Sequence, residues 1–130
     1  MSGSPRGRGH RTVDLDKHGF YAPGGWDAAQ LATFAAEISP DNPVDLGIVR
    51  AVKTLLDAGI ECFESCEGGE GHSAKEPVVR FSGKPEAGWR ALAVCLTYEF
   101  PVAYLQRYWM VLDSHEPQGP WWQLVFRQKL

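Results

Sequence analysis

Long apolar stretches are missing from this chain. No uninterrupted run approaches the roughly 20 residues a membrane span needs, and Met1 to Arg11 carries glycine and arginine where a secretory leader would have its apolar stretch. The expectation is a cytosolic protein with no membrane partner. Cysteine is scarce as well. Cys62, Cys66 and Cys95 are an odd number and too few for a disulfide scaffold, which points to reduced thiols in a reducing compartment. A strong charge of one sign is also lacking: the formal net charge is −3 and charged residues make up 22% of the chain, so no global field draws the protein onto nucleic acid. Nucleic-acid contact would be weak and confined to Arg6, Arg8 and Arg11, each acting by counterion release.

What is present is enough for one domain. The chain has 130 residues, 44% of them hydrophobic, which suits a single continuous core. Residues 1–11 read as a disordered basic tail and 12–130 as the domain. Val13 to Gly25 mixes apolar residues with glycine and proline and reads as an ordered arm without regular structure. Asp27 and Gln30 form a capping-box pattern, and Ala28, Leu31, Ala35 and Ile38 repeat at helical spacing, which predicts a helix over Trp26 to Ile38 ended by Ser39-Pro40. Asp45 is expected to cap a second helix with the apolar face Ile48, Val49, Val52, Leu55 and Leu56, closed by Gly59.

Ile60 to Ser65 and Pro77 to Ser82 read as strands. A third helix is expected from Pro85 or Glu86 to about Tyr98, with Trp89, Leu92, Ala93 and Leu96 as its inner stripe. Leu105 to Leu112 and Trp121 to Arg127 then form a hairpin, in which one of Trp121 and Trp122 faces the core and the other faces out, beside Tyr108 and Trp109. An exposed indole there would suit a ligand platform or a homo-oligomer contact. The predicted class is α+β in the order α-α-β-β-α-β-β, with helices on one face of a four-stranded mixed or antiparallel sheet.

The segment Glu64 to Ser73 concentrates nucleophile, base, acid and three glycines within ten positions at the end of a strand. Three chemistries fit it. The first is a thiophilic metal such as zinc, held by the C-x3-C-x5-H set Cys62, Cys66 and His72, with Cys95, His115 or a carboxylate as fourth ligand. Period-two alternation puts Cys62 and Cys66 on one strand face, where Cys62 is more simply a core thiol. The second is a hydrolase or transferase with Cys66 as nucleophile, His72 as base and Glu64 or Glu67 as orienting acid. Nearby glutamates oppose it by raising the thiol pKa.

The third chemistry is recognition without catalysis or cofactor. Ser65, Cys66, Gly68, Gly69, His72 and Ser73 would hold a small polar, nucleotide-like ligand in an amide nest. Arg80 or Arg90 would neutralise its charge, and Trp89 or Trp109 would stack on it. This reading fits the composition best and makes the protein a small ligand-binding accessory factor, acting on the ligand or on a host protein. Glu64, Glu67 and Glu70 would have to point away from an anion, or a cation would have to mediate.

The stretch Gly59 to Gly83 resembles a group of small bacteriophage and bacterial proteins with no assigned activity, through its Ser-Cys-Glu-Gly-Gly-x-Gly-His run and the following Glu-Pro-Val-Val-Arg-Phe-Ser-Gly. The likeness continues through Ala91 to Val94, Leu105 to Trp109 and Pro117 to Trp122, roughly the C-terminal two-thirds. It implies a phage or prophage setting and the host cytoplasm. A fainter similarity is to wybutosine-synthesis proteins that act on transfer RNA, which carry a Ser-Cys-x-Gly turn after a strand. Their next residue is arginine, whereas Gly69 follows Gly68 here, so that activity is not carried over.

Overall fold

A computed structural model describes residues 25–130, so the readings for the basic tail and most of the arm lie outside the described residues. The first helix, α1 (Ala28–Ile38), starts where the capping box places it: the Asp27 carboxylate accepts the Gln30 amide at 2.8 Å and Gln30 Oε1 accepts the Asp27 amide at 2.9 Å. The second, α2 (Val49–Asp57), does not begin on an Asp45 cap. Ile48 holds the N-cap position, and the Asp45 carbonyl accepts the amides of Ile48 and Val49. The Asp45 carboxylate is thereby left free to reach the Glu67 amide, 3.0 Å away. Gly59 (φ +84°) closes α2 as expected, with its amide on the Leu56 carbonyl and the Ile60 amide on Leu55, both at 2.9 Å. This double bond pattern is a Schellman motif, and it delivers Ile60 directly into the core.

Four strands follow: β1 (Cys62–Cys66), β2 (Val78–Phe81), and, after the helix α3 (Pro85–Thr97), β3 (Val102–Val111) and β4 (Pro117–Phe126). They form one sheet in the order β1-β2-β4-β3, antiparallel throughout. The class is therefore α+β, and the alternative of a mixed sheet drops out. Because β2 and β3 both run opposite to β4, α3 joins two strands of the same direction that flank a third, a split β-α-β unit. The core lies between α2, α3 and the inner sheet face, built on Ile48, Leu55, Ile60, Val79, Phe81, Leu124 and Phe126. A smaller cluster of Trp26, Leu31, Ala35 and Val49 fixes α1 to α2.

Three expectations about facing and extent need correction. The stripe that α3 buries is Gly88, Ala91 and Cys95, with Leu92 only partly covered, whereas Trp89 and Leu96 are 63% and 59% exposed. The cause is Trp122, the core member of the indole pair. Its ring lies so close to the helix that a Cβ on Gly88 would come within 2.5 Å of it, so α3 turns its small residues inward. The final hairpin is longer than predicted, since β3 begins at Val102 and β4 already at Pro117, with the Gly119-Pro120 bond cis inside β4.

The third correction concerns the cysteines. The β1–β2 register shifts between Cys62 and Glu64, with Phe63 as the extra residue of a bulge. Cys62 pairs with Phe81 and faces the core, whereas Cys66 pairs with Val78 and packs with Val125 on the opposite face. Among the described residues, no helix packs on that second face. A hydrogen-bonded row crosses it, Arg80 bonding Glu64 at 2.6 Å and Gln123 at 2.8 Å, with Gln123 in turn on Gln106 at 3.3 Å. Trp121 packs there against Phe63, ring centres 5.0 Å apart.

Candidate metal centre

Beyond Cys66 the chain must reverse to enter β2, and glycine makes the reversal possible. Gly68 takes φ +79°, and a Cβ there would lie 2.4 Å from the Glu76 backbone. The loop then closes on itself: the Gly69 amide reaches the carbonyls of Ala74 (3.2 Å) and Lys75 (3.0 Å), and the His72 amide reaches Gly69 (3.1 Å). Its other inward amides converge on sulfur. The Gly68 amide lies 3.4 Å from Cys66 Sγ, and the Ala74 amide and Ser73 hydroxyl also donate to it.

Burial pushes the Cys66 thiol up, as does the charge of Asp45, but the bonds from Gly68, Ala74 and Ser73 outweigh them and hold it below the ordinary thiol value. The acid that acts on the sulfur is thus Asp45 rather than the loop glutamates, and its effect is the smaller one. Cys62 and Cys95 lack such donors, and burial drives both up to about 12.

Around this sulfur the fold assembles groups from distant segments. Asp45, Cys66 and His72 each offer a ligand atom, and the three atoms lie within 4.8 Å of one another. His72 Nδ1 is 3.6 Å from Asp45 Oδ2, and His72 Nε2 is 3.3 Å from Glu67 Oε2. Glu67 is itself held firmly. Its Oε1 accepts the Gly47 amide at 2.8 Å, Lys129 Nζ stands 3.3 Å from Oε2, and the Leu130 amide ties back to the Gly47 carbonyl at 2.8 Å. The Gly47 amide bond, opposed by burial and assisted by Lys129 and His72, keeps the Glu67 carboxyl below the usual carboxylate range.

Of the residues singled out in the sequence, Cys66, Gly68, Gly69, His72, Ser73 and Glu67 come together here. Others do not. Cys62 points into the core on the other sheet face, which dissolves the set Cys62, Cys66 and His72; neither Cys95 nor His115 belongs to the cluster. Ser65 pairs with Val79 on β2, and Glu64 is engaged with Arg80. Trp89 leans on Trp122, ring centres 6.4 Å apart, and Arg90 donates to the Ala58 carbonyl where α2 ends, at the opposite end of β1 from Cys66.

Shallow depressions among the described residues lie elsewhere. One, beside Arg90, Gly59 and Lys84, and another, beside Arg80, Lys75 and Tyr104, both leave Cys66 and His72 outside their walls. Asp45, Gly47 and Lys129 were not singled out for the site. Asp45 carried only a capping signal, and nothing local links a residue to partners 20 or 22 positions away.

Comparison of the chain with protein-family models, with curated proteins and with solved structures finds no match.

Proposed function

We propose that the protein binds a divalent ion of the zinc class through Asp45, Cys66 and His72. The observation that carries this is the 3.6 Å separation of His72 Nδ1 from Asp45 Oδ2 beside a sulfur whose negative form is stabilised. It is longer than the usual 2.7–3.2 Å hydrogen bond, yet two metal bonds of about 2.0–2.2 Å at a tetrahedral angle set their ligand atoms roughly 3.3–3.5 Å apart. The three ligand atoms lie within 4.8 Å of one another, so a closure of about 1 Å makes a coordination triangle. The second histidine nitrogen faces Glu67, the carboxylate–histidine–metal pattern that fixes the imidazole tautomer and turns the other nitrogen to the ion.

The other two chemistries draw less support from the same contacts. Recognition of an anionic ligand needs free loop amides, but those of Glu67, Gly68, Gly69 and His72 are occupied by Asp45, Cys66 and the loop's own carbonyls. A metal-free cysteine nucleophile needs an accessible sulfur bonded to its base, whereas Cys66 is 7% exposed and its hydrogen bonds come from Gly68, Ser73 and Ala74.

Elemental analysis of protein purified without chelators, followed by zinc titration, tests the proposal. One ion per chain is expected. Binding should be lost in Cys66→Ser and His72→Ala but kept in Cys62→Ser, and zinc at 100 times its dissociation constant should stabilise the fold by about 2.7 kcal/mol. Absence of bound metal together with no thermal shift would overturn it.

A further inference from the structure

Resting on that metal assignment, we infer that the ion keeps one coordination position for an exchangeable oxygen ligand, so that the centre is of the Lewis-acid type rather than a closed structural staple. Zinc in structural sites takes four protein ligands, and in catalytic sites three plus water. Among the described residues the cluster holds three ligand atoms. Glu67, the nearest further acid, is spoken for by Gly47, His72 and Lys129.

Exposure points the same way. The sulfur is buried, but the side chains of His72 and Asp45 are 31% and 36% exposed, so two of the three ligands are open to water. Charge balance agrees: one thiolate, one carboxylate and a neutral imidazole neutralise a divalent ion without a further anionic protein ligand. The class of ligand for that position is a water or hydroxide, displaced by a small anion or by the carbonyl or phosphoryl oxygen of a substrate. Glu67 acts here as a positioning residue, since it touches His72 rather than the ligand.

The full chain loaded with cobalt(II) provides the test, with azide as the probe. A thiolate-to-cobalt charge-transfer band reports Cys66 in the coordination sphere, and the d–d bands report the coordination number. Saturable change of the d–d bands by azide, with the charge-transfer band retained, is expected. In Glu67→Gln the same spectrum should appear, with metal affinity roughly 10–100-fold weaker. If the charge-transfer band forms but azide leaves the d–d bands untouched, a fourth protein ligand fills the position, His10 and His18 being the histidines outside the described residues, and the inference is overturned while the metal assignment stands. Should cobalt not bind at all, the metal assignment fails first and this inference with it.

Discussion

Three thiols of one chemical kind are given two environments. Cys66 sits under hydrogen-bond donors, whereas Cys62 and Cys95 lie on the core side with no compensation for burial. Because the folded protein holds the latter two up to about 12 while an unfolded thiol titrates near about 8.5, folding favours their protonated form. Their contribution to stability is complete below that unfolded value and is lost as pH rises towards the folded one. Denaturant midpoints measured across this alkaline window should fall, and Cys95→Ala should fall less steeply than the parent chain. An equal slope in both would show that Cys95 is not held protonated. The sequence singles out Cys66 as a candidate nucleophile or ligand, but not the groups that lower its pKa, since these depend on where Ser73 and Ala74 return.

At the scale of elements, sequence pattern located the helices and strands of the described residues within a few positions, but it misjudged which face α3 buries. The pattern counts apolar residues, whereas packing against an indole is decided by size: Gly88 is small enough to lie on Trp122, and Ala91 and Cys95 continue the buried stripe. Gly88→Ala should therefore cost about 1–3 kcal/mol by overpacking, although alanine is the better helix former. Trp89→Ala should cost less, since that side chain is largely exposed. Urea unfolding of both variants checks the order; a stabilised Gly88→Ala would contradict the packing of Trp122 against the helix backbone. The bulge at Phe63 was illegible for a related reason. Nothing in the run Cys62 to Cys66 announces an unpaired residue, yet one extra residue moves Cys66 to the other face and removes Cys62 from any site it could share.

For the whole molecule, the class and element order followed from pattern, while the strand order β1-β2-β4-β3 and the convergence on Cys66 did not. The centre draws on the turn before α2, the glycine loop and the C-terminal Lys129-Leu130, and the sheet and α2 hold these segments in register. No helix among the described residues is long and apolar enough to cross a membrane. The central claim is that one sulfur, one imidazole and one carboxylate from these segments meet on a single ion. X-ray absorption at the zinc edge of the loaded protein tests it most directly. One sulfur at about 2.3 Å with nitrogen and oxygen at about 2.0–2.2 Å is the expected shell; two or more sulfurs, or none, would contradict it.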